Sequence, residues 1–450
     1  MDGEMEIYDA RYCEDMGDGH ILKWATQPHE VESYAALTSR VFRTDAQAPD
    51  NAFIAQHSRE ICASDHPLGD TPNCAIVIGP DETVVAGAVL QRMPMDYAGI
   101  RLQVGRPEII ATAEDARQRG YVRALFKLLH AKSSARGDHL QGITGIPYFY
   151  QQFGYRYAID YDGNATVAFA DVGASAPLHA ITLQRATPDD YNDFAAWYDA
   201  DRLQRGLLAT TPIDASYFRF LMGTSQSTHN WRIYLALHEQ QRIGYVIVGR
   251  ANWDHHLVVH GCAFVRGHGW AHTLPGLMQA LAHIRNDIVI RDPHIQELTG
   301  VRFILDSQHP LFTQLGYGVP HIREPEYAWY VRVADVAYLL NTLKPVLERR
   351  LRQSALAGYT GQSTWSFYGE GVTLHWEAGS LTKVAPARVP RNGEGCDATF
   401  PPHLINMLIF GRKSVQEMKA WHHEVWATPI CKQLLDTLFP KAPSWFHWLN

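Results

Sequence analysis

Cysteine is scarce: the chain has six in 450 residues, at Cys13, Cys62, Cys74, Cys262, Cys396 and Cys431, and none forms a close pair. That spacing excludes a disulfide framework and a CxxC metal or redox motif, and a reduced cytoplasmic protein is the expectation. Long apolar runs are also missing. None approaches the roughly 18 residues needed to span a bilayer, so no membrane segment is expected. The start, Met1-Asp2-Gly3-Glu4, lacks the basic and apolar segments of a secretory leader. A basic excess is absent: the formal net charge is −7. This argues against a nucleic-acid partner and is compatible with a cationic one. Histidine is plentiful, but its densest groups, Asp254-His255-His256 with His260 and His422-His423-Glu424, lack Cys partners and an HExxH spacing. Adjacent histidines on a strand point to opposite faces, so no metal is expected. With 46% apolar and 19% charged residues the composition is globular, and the length allows about three domains.

What is present converges on the stretch from Glu108 to Tyr155. It opens on a short apolar strand, Ile109-Ile110-Ala111-Thr112, and passes through Arg117-Gln118-Arg119-Gly120-Tyr121-Val122. A helical pattern then begins, with Val122, Leu125, Phe126, Leu128 and Leu129 on one face. A strand, a basic turn and a helix start therefore follow one another. The first turn of a helix presents unpaired N–H groups and the positive end of the dipole. Arg117, Arg119 and Arg123 stand beside it, and Gly120 permits a positive φ or close backbone approach. This combination can cradle a diphosphate; a solvated helix start accounts for the same residues. Downstream lies a strand, Leu140 to Ile146, and then Pro147-Tyr148-Phe149-Tyr150-Gln151-Gln152-Phe153-Gly154-Tyr155.

Around this stretch the chain repeats itself. Residues 1–20 show no periodicity. A strand at 21–26 precedes a helix from Pro28, a helix around Ala55 to Cys62 follows, and Cys74–Ile78 with Thr83–Leu90 flank Gly79-Pro80-Asp81-Glu82 as a hairpin. A strand at 100–112 leads into the central stretch. Beyond a linker at Gly173–Pro177, residues 181–188 echo the first strand and helix start, and strands at 233–237 and 244–248 echo the hairpin. Leu311-Phe312-Thr313-Gln314-Leu315-Gly316-Tyr317 echoes residues 149–155, with Phe312 opposite Tyr150. The second copy keeps the ring and loses the hydroxyl, and Arg266-Gly267-His268-Gly269 is a poor match for the basic turn. The expected organisation is a first domain over 1–170, a degenerate second copy over 178–331, and a third domain over 332–450. The third begins with an amphipathic helix from Val333 to Leu351, interrupted by Pro345, and continues with strands at 365–367 and 372–376, a loop over 385–395, and short helices at 403–410 and 415–421.

The order strand, Arg/Gln-x-x-Gly-x-small, helix, strand, Phe-Tyr-x-x-Phe-Gly-Tyr resembles the GNAT family of acetyl-CoA-dependent N-acetyltransferases. Val122, where the loop usually carries Gly or Ala, is a departure that resembles the enhanced-intracellular-survival branch of aminoglycoside and lysine acetyltransferases. The resemblance implies an α/β (α+β) fold with two tandem GNAT-like mixed-sheet units followed by a sterol-carrier-protein-like α+β domain. It implies acetyl-CoA as cosubstrate, held by Ile110, Ala111, Thr112, Gln118, Arg119, Gly120, Tyr121, Val122, Arg123, Gly145 and Ile146. It implies direct attack by a primary amine (aminoglycoside, polyamine or peptide) in a ternary complex, with the acceptor site partly under residues 44–70. Tyr150 would be the general acid, since a phenol with a pKa of ~10 is neutral at pH 7. The carboxylate of Asn450 would be the general base, although branch members often end in an aromatic residue. A homo-oligomer, a hexamer in the branch, is implied by resemblance alone. A non-catalytic acetyl-CoA sensor, or a lipid binder using the third domain, is the alternative.

Overall fold

The computed structural model describes residues 7–446 apart from 46, 162, 172–179, 223–227, 229–230, 291–293, 318 and 325–326. The expected linker at 173–177 and the terminal Asn450 therefore lie outside the described residues. The chain divides into two compact units. One comprises Met1–Ile159 with Trp329–Ala442, and the other comprises Asp160–Ala328 with the segment from Pro443 onward.

In the first unit, strand periodicity builds two cores on opposite faces of one sheet. The edge strand β1 (Cys13–Gly17), which shows no sequence pattern, pairs with β2 (His20–Trp24). Helices α1 (Pro28–Val41) and α2 (Ala52–Cys62) follow, α1 starting with Pro28 and a capping box between Gln27 and Glu30. Next come β3 (Cys74–Ile78), β4 (Val84–Tyr97), β5 (Ile100–Thr112), α3 (Tyr121–Ala135), β6 (Leu140–Ile143) and β7 (Arg156–Asp160). Alternate residues of β3 face opposite ways. Cys74 and Ile76 pack with Tyr34 and Leu37 of α1, while Ala75 and Val77 pack with Leu125, Leu128 and Leu129 of α3. β1 through β5 are antiparallel neighbours, and β6 joins β5 in parallel, with α3 as the crossover.

The second unit repeats this plan. Its strand β8 (Gly163–Ala168) lies inside the expected first domain of 1–170 but pairs in the second sheet, and the units divide after Ile159. After it come β9 (Thr182–Arg185), α4 (Tyr191–Gln204), β10 (Ala209–Thr210), α5 (Ala215–Met222), β11 (Arg232–His238), β12 (Gln241–Val248), β13 (His256–Phe264), α6 (Trp270–Ile284), β14 (Gly300–Leu305), α7 (Pro310–Leu315), β15 (Ile322–Glu324) and β16 (Ala328–Arg332). The second sheet runs β15-β8-β14-β13-β12-β11-β9, with β13 and β14 parallel on either side of α6. β2-α1-α2-β3-β4-β5-α3-β6 and β9-α4-α5-β11-β12-β13-α6-β14 are therefore the same arrangement twice. β16 belongs to the first sheet, where Tyr330, Val331 and Arg332 pair with Ile143, Gly142 and Gln141 of β6 and β7 lies beyond.

The remaining segment joins the first unit. α8 (Val336–Arg352) keeps Pro345 inside it. A sheet ordered β19-β18-β17-β20-β21 follows, from β17 (Gly361–Ser366), β18 (Glu370–Glu377), β19 (Ser380–Arg388), β20 (Ala398–Thr399) and β21 (Trp426–Ala427). β19 occupies part of the expected loop at 385–395. Short helices α9 (Asn406–Ile409) and α10 (Val415–Trp421) precede α11 (Pro429–Leu438), which the sequence reading did not anticipate. Trp365 and Trp376 are buried, whereas Trp421 and Trp426 are exposed. Among the hydrogen bonds that tie this segment to the first sheet, the Tyr97 hydroxyl donates to the Ile409 carbonyl at 2.6 Å, and Asn406 Nδ2 donates to the Val331 carbonyl at 3.1 Å. Trp445 packs in the core of the second unit, and its N–H donates to the Ala209 carbonyl at 2.8 Å.

Candidate active site

β5 and β6 pair only at Val104–Leu140 and Gly105–Gln141. β5 then continues to Thr112 beside β4, whereas β6 continues beside β16. The two central strands thus part after Gly105, and the freed edge of β5 faces the opening. A bulge sharpens the parting. Register with β4 slips between Gly87 and Val89, and Ile109 takes a φ of 45°. A left-handed isoleucine is costly and needs outside support. The Tyr34 hydroxyl of α1 supplies it, donating to the Ile109 carbonyl at 2.5 Å. Tyr34 reaches that position because Gly87 lacks a side chain; a Cβ there would lie 2.7 Å from the tyrosine ring. Gly87→Ala is expected to cost about 1–3 kcal/mol by overpacking. Chemical denaturation measures it, and unchanged stability would remove Gly87 from this account.

At the end of β5 a short 3₁₀ turn, Glu114–Ala116, leads to Gln118, which has a φ of 64°, and to Gly120, the N-cap of α3, which has a φ of 82°. No side chain caps the helix, and the first intrahelical bond is from Ala124 to the Gly120 carbonyl. The N–H groups of Tyr121, Val122 and Arg123 are left to a ligand or solvent. Arg117, Arg119 and Arg123 are exposed and have no carboxylate partner among the described residues. Gln118 and Gly120 are exposed as well, while the Tyr121 side chain is buried beside His20. Val122 is accounted for by packing: it contacts the aromatic cluster of Phe126, Tyr150, Tyr155 and Tyr330, as Ile110 does from β5.

That cluster holds Tyr150. The turn Phe149–Phe153 follows a left-handed Tyr148, whose N–H donates to the Tyr330 hydroxyl, and Tyr330 stacks on Tyr157 at 4.0 Å. Tyr150 is 6% exposed. Its hydroxyl lies against Gly145, where φ is 125° and a Cβ would meet the oxygen at 3.3 Å. Burial, then the negative charge of Glu108 and the neighbouring Tyr330, push the Tyr150 phenol up to about 12. Glu108, which opens the bulge, forms an ion pair with Arg106, whose guanidinium lies 5.0 Å over the Trp329 ring. Sequence reading gave Glu108, Tyr34 and Tyr330 no role. Glu108 headed the singled-out stretch, but only the bulge brings it close to Tyr150. Ile146 is exposed, and Ala111 is buried against α1.

A cleft of about 480 Å³ opens beside the turn, lined by Leu37, Arg40 and Val41 of α1, Arg43, Asp45, and Ala113 to Asp115 with Arg117. In the second unit, Phe312 is buried and a Cβ at Gly163 would lie 2.7 Å from its ring, while Tyr317 is exposed where Tyr155 is buried. Among the described residues, no group of three or more His, Cys, Asp and Glu side chains could hold a metal ion. Among them, no helix is long and apolar enough to cross a membrane.

Residues 25–158 match the family described as an acetyltransferase (GNAT) domain. No curated protein matches the sequence. Among solved structures, a GCN5-related N-acetyltransferase from Anabaena variabilis shares 12% identity, with 95% of this chain and 99% of that chain covered at a TM-score of 0.65. One from Kribbella flavida shares 15% identity, with 95% and 99% covered at 0.64. Eis1 from Mycobacterium abscessus shares 14% identity, with 94% and 98% covered at 0.58. At these identities the structures speak for the fold. The matched domain supports an acetyltransferase enzyme, and GNAT domains use acetyl-CoA as cosubstrate and an amine as acceptor.

Proposed function

We propose that the chain transfers the acetyl group of acetyl-CoA to a primary amine by direct attack in a ternary complex, in the manner of the enhanced-intracellular-survival branch. The observation that carries this reading is the buried Tyr150 hydroxyl, set against Gly145 at the parting of β5 and β6 and kept protonated by its surroundings. In this reading the freed edge of β5, Ile110 to Thr112, offers backbone groups to the pantetheine arm and the thioester carbonyl, with Gly145 and Ile146 opposite. The uncapped start of α3, with Gln118, Arg119, Gly120, Tyr121, Val122 and Arg123, receives the diphosphate. Tyr150 donates a proton to the departing thiolate. The terminal carboxylate of Asn450 takes the proton from the amine. Asp45, Glu114 and Asp115 in the cleft beside α1 offer carboxylates to a cationic acceptor. The segment from α8 to α11 is read as the sterol-carrier-like domain of that branch, and the assembly as its hexamer.

One observation favours a second reading of the base: Glu108 acts on the Tyr150 phenol through its charge, so a carboxylate already stands at the parting. Release of free thiol from acetyl-CoA across a panel of aminoglycosides and polyamines tests the activity. Binding of acetyl-CoA with no turnover on any amine would leave the sensor reading in its place. Within the enzyme reading, Arg119→Gln with Arg123→Gln is expected to raise the KM for acetyl-CoA about tenfold or more, since each charge-assisted contact contributes about 1.5–3 kcal/mol. The kcat should be little changed. An unchanged KM would take the diphosphate away from this turn.

A further inference from the structure

The turn that carries Tyr150 is held at its start by a residue from far along the chain. β16 comes where the chain leaves the second unit, yet it pairs in the first sheet, where Tyr330 lies opposite Ile143 of β6. The matched domain ends at residue 158, so Tyr330 lies beyond it. Tyr330 is fully buried. The ladder with β6 fixes its backbone, and stacking on Tyr157 at 4.0 Å fixes its ring. Its hydroxyl therefore stands at a set point of the sheet, and there it accepts the N–H of Tyr148, 182 positions away.

Tyr148 needs that hold. Its φ of 67° is left-handed, a conformation that is costly for a residue with a side chain and persists where the surroundings enforce it. Its own side chain is 78% exposed, so side-chain packing does not enforce it. Tyr148 joins the end of β6, with Gly145 at a φ of 125°, to the turn Phe149–Phe153. The far end of that turn is anchored from nearby: the Gly154 N–H donates to the Gln151 carbonyl at 3.1 Å, and the Tyr155 hydroxyl donates to Gln141 Oε1 at 2.9 Å. The near end is anchored by Tyr330, whose ring also meets the Tyr150 ring edge-on at 5.6 Å. One side chain thus sets both the start of the turn and one wall of the phenol. Aim matters here, because a displacement of about 1 Å at a reacting group can cost about 10²-fold in rate.

We propose that Tyr330 is a positioning residue for acetyl transfer: its hydroxyl holds Tyr148 in the left-handed conformation and so aims the Tyr150 hydroxyl. This rests on the reading of Tyr150 as the general acid. It makes the site of the first GNAT-like arrangement depend on a strand that follows the second one in the chain.

The test uses the full chain and Tyr330→Phe, which keeps the packed ring and removes the acceptor; melting curves check that the variant is folded at the assay temperature. Hydrogen–deuterium exchange of the peptide covering 144–155 reads the hold without turnover, and faster exchange, by up to about tenfold at Tyr148, is expected. With an amine that serves as acceptor, kcat is expected to fall about tenfold or more while the KM for acetyl-CoA stays within about twofold, a split that loss of fold stability alone does not give. In a Tyr150→Phe background, adding Tyr330→Phe is expected to change kcat by less than about twofold, because no hydroxyl is left to aim. Adding Tyr148→Gly to Tyr330→Phe is expected to restore most of the lost kcat, since glycine adopts a positive φ unaided. Equal exchange in parent and variant overturns the proposal. So does full turnover in Tyr330→Phe beside an impaired Tyr150→Phe, which leaves the acid reading standing, or an equal kcat loss with and without the Tyr150 hydroxyl. Full turnover in Tyr150→Phe sinks the acid reading and the proposal with it. With no turnover of the parent on any amine, the acetyltransfer reading fails and exchange alone decides whether Tyr330 holds the turn.

Discussion

Tyr150→Phe is expected to lower kcat by about 10²–10⁴-fold, the range for loss of a general acid, while acetyl-CoA affinity stays within about twofold. The substitution keeps the ring that packs against Phe126, Phe149 and Tyr330, so a drop in kcat cannot be charged to lost packing. A general acid must hold its proton until the thiolate forms. Burial and the Glu108 charge push this phenol up to about 12, so no alkaline limb of the rate below about pH 11 should come from it. The sign for stability follows. The folded pKa lies above the unfolded value of about 10, so between these values the folded state keeps a proton that the unfolded state releases. Stability is fully present below pH 10 and falls as pH rises toward 12. Unchanged turnover in Tyr150→Phe would take Tyr150 out of the mechanism.

Appending residues after Asn450 is expected to reduce turnover by about 10² or more if the terminal carboxylate is the base, while thermal unfolding is unchanged. The residues just upstream make the experiment clean: Trp445 and Phe446 are buried, and the Leu208 N–H donates to the Pro443 carbonyl at 2.7 Å, so the tail is anchored before the extension begins. Glu108→Gln is the paired measurement. An active extended protein together with an inactive Glu108→Gln would move the base to Glu108. Activity in both would require a base from elsewhere. The pairing matters because the two carboxylates reach the chemistry differently, one through the chain end and one through a strand bulge.

Much of the fold was legible because its signals are local. The apolar run of 74–78 before the Gly79-Pro80 turn, the i, i+3, i+4 face of 122–129, and the helix start at Pro28 each need only neighbouring residues. The duplication was legible for the same reason, since each copy repeats its own local pattern. The exposed edge strand at 13–17 has no buried face and so no pattern. Assignment of 163–168 to the second sheet also escaped, because pairing partners more than a hundred residues away leave no mark on a strand's own alternation.

The candidate site divides along the same line. The basic turn and Gly120 were visible in residue type and spacing, because an anion cradle needs consecutive N–H groups, whereas the role read for Tyr150 came from the family resemblance. The opening between β5 and β6 was not evident, nor was the left-handed Ile109 held by Tyr34 over Gly87. The action of the Glu108 charge on Tyr150 was equally hidden. Each depends on segments far apart in the chain meeting across a sheet. Residue chemistry and local geometry are written in consecutive amino acids; which charges share a low-dielectric space, and so which pKa values move, is decided only when the sheet is assembled.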